Sequence, residues 1–98
     1  MAAATLTEVL EVLRARRDEA RALGIELVGV VGSMARGEAR EDSDVDVIVH
    51  HLGGCSLFTL IDFEAVLKKD VGRSVDLVFS EAMRPERQQY IERDLVRL

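Results

Sequence analysis

The run Ile25-Glu26-Leu27-Val28-Gly29-Val30-Val31 does most to restrict what this chain can fold into. It is rich in β-branched residues, nearly continuous in apolar character and of strand length, the pattern of a strand covered on both faces. A chain of 98 residues buries roughly 60–70% of its unfolded surface, so this strand must share one core with everything else. Two further runs can sit beside it. Residues 44–50 return to strand with Val45, Val47 and Val49 on one face, and residues 74–79 form a third.

Between these runs the spacing is helical. Thr5 and Glu8 form a capping box ahead of Leu6, Val9, Leu10, Leu13, Ala20 and Leu23, which predicts a helix over residues 6–23 stopped by Gly24. Residues 34–39 can make only a helical turn or two. Ser56 caps a helix over residues 57–71 with Leu60, Ile61, Phe63 and Leu67 inward, and Gly72 closes it. Pro85 suits the first turn of a last helix reaching toward Leu98. The expected order is α-β-α-β-α-β-α. This is an α/β (α+β) fold in which a small mixed sheet carries helices packed on it, as a single domain over residues 1–98.

Composition excludes several classes of function. With 13 Lys+Arg against 18 Asp+Glu, the net charge of −5 offers no basic face for phosphate neutralisation, so no direct nucleic-acid partner is expected. The longest stretch without a charged residue, 47–61, is interrupted by His50, His51, Gly53, Gly54 and Ser56. It falls short of the ~20 apolar residues of a membrane span, so no membrane role is expected. Met1-Ala2-Ala3-Ala4-Thr5 lacks a basic, apolar secretory start, and the protein is read as cytoplasmic. Cys55, the one cysteine, excludes an internal disulfide and a thiolate zinc cage, and reads as a small packed thiol.

The chemistry is concentrated in residues 32–46. Gly32 and Ser33 sit between a strand end and a helix start, where free backbone N–H groups favour a phosphate. Gly lets the backbone approach closely, and the Ser33 hydroxyl adds a donor. Arg36 can reach a phosphate or pair with neighbouring acids. Asp44 and Asp46 are two apart at the start of an otherwise apolar strand, so both carboxylates point one way. Like charges that close call for a cation between them, and oxygen-only ligands select Mg²⁺ or Mn²⁺. Asp42, Asp44 and Asp46 also match an EF-hand loop in part, but Val47 stands where Gly is needed and Gly53 where Glu is needed. Asp76 lies inside the apolar strand Val75-Asp76-Leu77-Val78-Phe79, a costly place for an acid without a partner or metal. If its strand lies beside that of Asp46, three acids converge and can hold two metal ions for phosphoryl transfer.

Gly32-Ser33, ten intervening residues, Asp44-x-Asp46 and a later strand carrying Asp76 resemble the active-site signature of the DNA polymerase β-type nucleotidyltransferase superfamily. Gly32-Ser33-Met34-Ala35-Arg36-Gly37 and Ser43-Asp44-Val45-Asp46 are similar to the minimal nucleotidyltransferases, the MntA-type antitoxins of HEPN/MNT toxin–antitoxin pairs. The likeness spans essentially the whole chain.

The resemblance implies a function residue by residue. Gly32, Ser33 and the adjacent backbone would hold the phosphates of ATP. Asp44, Asp46 and Asp76 would be catalytic and metal-binding, coordinating two Mg²⁺ ions or Mn²⁺, with Asp76 helping to activate the acceptor hydroxyl. Members of this kind transfer AMP to a hydroxyl of a HEPN-type toxin and act as its antitoxin. The alternative is a non-enzymatic antitoxin or nucleotide-binding module that neutralises its partner by binding. His50 and His51 read as strand-end residues. Arg84, Arg87 and Tyr90 carry no assigned role.

Overall fold

The computed structural model describes residues 5–98, and for Tyr90 the backbone alone. Residues 1–4, on which the expectation of no secretory start rests, lie outside the described residues. Helix α1 (Leu6–Ala15) starts at the capping box, with the Glu8 N–H donating to Thr5 Oγ1 at 3.3 Å and the Thr5 N–H to Glu8 Oε1 at 3.3 Å.

The expected helix over 6–23 is broken in two. Arg16 leaves helical geometry at φ −101°, ψ 4°, and α2 (Arg17–Ala22) continues in a new direction. The break lets α1 pack on a later helix while α2 packs on the first strand. Side-chain bonds from Arg16 to Glu19 (2.7 Å) and Asp70 (2.8 Å) hold the corner. Spacing along the chain does not reveal it, because the apolar positions on either side stay in helical phase.

Strand β1 (Ile25–Val31) buries Ile25, Leu27 and Val30. The inward set changes parity because the ladder to β2 slips between Leu27 and Gly29, a bulge that places two residues against one. Strand β2 (Val45–His51) runs antiparallel to β1, and Val45, Val47 and Val49 are fully buried as expected. Ser56 accepts from the Thr59 N–H at 3.1 Å to start α3 (Leu57–Val71), and Gly72 ends it at φ 76°. Phe63, Leu67 and Val71 face the core, whereas Ile61 is 53% exposed, contrary to its expected inward position. Strand β3 (Val75–Phe79) lies parallel to β2, followed by a 3₁₀ turn (Ser80–Ala82) and α4 (Pro85–Asp94).

Two further expectations change. Residues 33–37 form a single turn, not a helix. Its closing bonds run from the Gly37 N–H to the Met34 carbonyl and from the Glu38 N–H to the Ser33 carbonyl, with Gly37 left-handed at φ 74°. The last helix also stops at Asp94, and Val96–Arg97 form β4 against β1. Gly29 permits this, since a Cβ there would lie 2.3 Å from the Val96 carbonyl oxygen. The sheet order is β3-β2-β1-β4. One face carries the core with α1, α2 and α3. Ile48, also buried, lies outside that cluster and faces α4. Among the described residues no helix is long and apolar enough to cross a membrane. Cys55 is partly buried at the edge of the core, with its thiol near the Ser56 carbonyl.

Candidate active site

The site forms where β1 ends and where β2 and β3 begin. Residues paired across a sheet share a face, and the register sets Val31, Asp46 and Asp76 in one row across three strands. Asp46 and Asp76, thirty residues apart in sequence, are thus neighbours on the face away from α1 and α3. Asp44 is in the segment just before β2 and not on the strand itself. Asp44 and Asp76 are exposed and Asp46 is half-buried. The Asp46 carboxyl is pushed above the usual carboxylate range by burial first, then by the charges of Asp76 and Asp44. Among the described residues, none of the three enters a salt bridge. Nor do any three His, Cys, Asp or Glu side chains gather tightly enough to hold one metal ion.

Gly32 joins the loop to this row. At φ 82° it turns the chain out of β1 in the left-handed region, and a Cβ on it would stand 2.7 Å from Asp46 Oδ2. Only glycine meets both demands. Met34, 4% exposed, pins the following turn into the core. The Arg36 N–H donates to the Gly32 carbonyl at 3.1 Å. The N–H groups of Ser33, Met34 and Ala35 make no backbone hydrogen bond to another described residue, like the free donors of a helix's first turn. The loop therefore carries open N–H donors in the three residues after the glycine that borders Asp46.

Arg36 is not idle beside them. Its guanidinium bonds Glu38 (Nε, 3.1 Å) and Asp94 (Nη1, 3.1 Å), and these two carboxylates raise its pKa further. His50 and His51, at the far end of β2, both engage Glu81. His50 Nδ1 contacts its carboxylate, and the His51 N–H donates to it at 2.9 Å. A cleft of about 630 Å³ lies between α4 and the same sheet face. Ile48 and His50 are among its walls, and the three acids are not.

With this geometry described, comparison with known proteins decides the family. Residues 8–98 match the nucleotidyltransferase domain family. The chain belongs to that family. It is a minimal nucleotidyltransferase of MntA type within the polymerase β-type superfamily. It is 38% identical to the protein adenylyltransferase MntA of Thermococcus cleftensis over 97 residues, covering 98% of each chain. A solved structure of a candidate minimal nucleotidyltransferase is 36% identical, with a TM-score of 0.70 over 91% of this chain and 95% of that one. A crystal structure of a toxin–antitoxin with AMP-PNP shares the fold at 17% identity, with a TM-score of 0.68 over 96% of this chain and 72% of that one.

The nucleotidyltransferase carries two positioning residues that motif spacing does not reveal. Arg73, just before β3, sends Nη1 to the carbonyls of Arg40, Glu41 (3.3 Å) and Ser43 (3.1 Å). It thereby fixes the segment that presents Asp44. Asp94, at the end of α4, ties the C-terminal region to Arg36. An arginine following a helix-closing glycine is the only local sign of the first. The second has no local sign, since 58 residues separate the pair.

Proposed function

We propose that this nucleotidyltransferase transfers AMP from ATP, with Mg²⁺, to a hydroxyl of a HEPN-type partner protein and thereby serves as its antitoxin. The observation that carries the reading is the row of Asp46 and Asp76 beside Gly32, with Asp44 one residue before β2. Oxygen donors alone, with a half-buried acid repelled by two others, fit a divalent cation. Asp44, Asp46 and Asp76 would hold the ions, with phosphate and water completing their shells. When bound, Mg²⁺ supplies charge neutralisation at the triphosphate. Mn²⁺ has the same ligand preference.

The chain's own groups do the rest. The N–H groups of Ser33, Met34 and Ala35, with the Ser33 hydroxyl, hold the β- and γ-phosphates, and Arg36 turns from Asp94 to reach them. Asp76 accepts the proton of the acceptor hydroxyl. The acceptor oxygen then bonds to the α-phosphorus as the α–β anhydride bond breaks, and pyrophosphate leaves. An acceptor protein is favoured by the relatives this chain matches along its length. The 38% identical relative is itself a protein adenylyltransferase, and the fold is shared by a toxin–antitoxin crystal structure.

The test is incubation with labelled ATP, Mg²⁺ and a purified candidate HEPN-type partner. The wild type should label the partner and release one pyrophosphate per label, and Asp44→Ala/Asp46→Ala should do neither. If the partner gains no label while the double variant still neutralises it, neutralisation works by binding alone and the reading fails.

A further inference from the structure

The large apolar side chains left in water fall within ten residues of chain, after the end of β2 remote from Asp46. Leu57, Phe58 and Ile61 on the first turns of α3 are 68%, 80% and 53% exposed, and Leu52 just before them is 51% exposed. Together they present on the order of 400 Å² of apolar surface, the size at which a contiguous patch marks an interaction site. That is about half of one side of a standard protein interface. Phe63, Leu67 and Val71 already supply the inward face of α3, so the fold makes no use of this one.

The charges around it choose the partner. Arg16 at the end of α1 bonds Asp70 near the end of α3, and the two helices are in contact. Residues 5–13 and 56–67 contain Glu8, Glu11, Asp62 and Glu64, and the first basic residues follow only at Arg14 and Lys68. A second copy seated here by twofold symmetry would bring these acids against one another.

We propose that this acid-rimmed apolar face docks the acceptor protein through a surface whose apolar side chains are set among Lys and Arg. The inference rests on the acceptor being a protein. From Leu52 back to Asp46 along β2 is roughly 20 Å at strand rise. Docking at the patch therefore leaves the carboxylates and the phosphate loop open to a hydroxyl presented from another part of the same partner. Tethering there raises the local concentration of that hydroxyl without adding any group to the active site.

The experiment uses the full chain and a purified HEPN-type candidate partner, with binding and AMP transfer read separately. Phe58→Ser/Ile61→Ser should raise Kd for the partner, and KM for the partner, by about tenfold or more, as loss of an aromatic anchor does. Its KM for ATP should not move. Asp62→Lys should weaken binding in the same direction by opposing the basic rim. Asp44→Ala/Asp46→Ala should bind the partner as the wild type does and transfer nothing. A patch variant that binds the partner undiminished overturns the proposal, as does a wild-type homodimer that the patch substitutions dissolve. A wild type that binds through the patch yet transfers no AMP overturns the proposed activity and leaves the docking surface supported. A wild type that does not bind this protein overturns both.

Discussion

Gly32 and Asp46 meet where β1 gives way to the loop: a Cβ on Gly32 would lie 2.7 Å from the Asp46 carboxylate oxygen, and Gly32 sits at φ 82°. Gly32→Ala should therefore act twice. The left-handed backbone costs about 1–2 kcal/mol for a residue with a Cβ, which lowers the melting temperature by at least about 4 °C. The methyl also pushes Asp46 out of line with Asp76, and transfer should drop by about a hundredfold, the penalty of misplacing a reacting group by an ångström. Thermal melts and AMP transfer measured on one preparation separate the two effects.

Asp46 ionises reluctantly in the folded state, chiefly through burial and then through Asp76 and Asp44. For a carboxyl whose folded pKa is raised, the stabilising contribution is present at low pH, where the group is protonated, and is lost as pH rises through the folded pKa. In chelator, Asp46→Asn should thus be more stable than the wild type at neutral pH. The difference should vanish below pH ~4, near the unfolded carboxyl's own pKa. Added Mg²⁺ should stabilise the wild type and not the variant. Melting curves across pH, with and without Mg²⁺, check this, and a wild type more stable than Asp46→Asn in chelator at pH 7 contradicts it.

Arg36 spans Glu38 and Asp94 through bonds of 3.1 Å each, and the pair with Asp94 is partly solvated at 44% and 21% side-chain exposure. Exposed ion pairs add little to stability. Asp94→Asn should leave the melting temperature almost unchanged and lower KM for ATP, because Arg36 then has one competitor fewer for phosphate. Arg36→Ala should raise that KM by about tenfold or more, the loss of a charged hydrogen bond. Steady-state kinetics with ATP varied decide it, and an Arg36→Ala enzyme with unaltered KM removes Arg36 from the phosphate site.

Ser56 accepts from the Thr59 N–H at 3.1 Å, far from the carboxylates. Ser56→Ala should cost ~1 kcal/mol, the usual loss of an N-cap, or about 4–8 °C in melting temperature for a chain of this size. KM for ATP at a temperature where the variant is folded should stay at the wild-type value. A variant that melts like the wild type would show that α3 is held by packing alone.

Features that depend on a few consecutive residues were open to sequence reading. The caps at Thr5 and Ser56, the left-handed stops at Gly24 and Gly72 and the buried row Val45, Val47 and Val49 follow from local hydrogen bonding and side-chain alternation. The Gly32-Ser33 bend and the place of Asp44 and Asp46 at the head of β2 were equally local. The break at Arg16, the bulge in β1 and the short β4 escaped notice because each compensates for something elsewhere: a bond to Asp70, a partner strand, an approach across Gly29.

By itself, then, the amino-acid order determined which segments become strand or helix and which acids are available, because both are set within one or two turns of chain. Only the tertiary structure decided that Asp76 stands beside Asp46, that Arg36 is shared with Asp94, and that Phe58 and Ile61 face water. Strand register and helix facing are fixed by contacts between segments tens of residues apart. A one-residue slip of β3 would turn Asp76 to the other face of the sheet and separate it from Asp46.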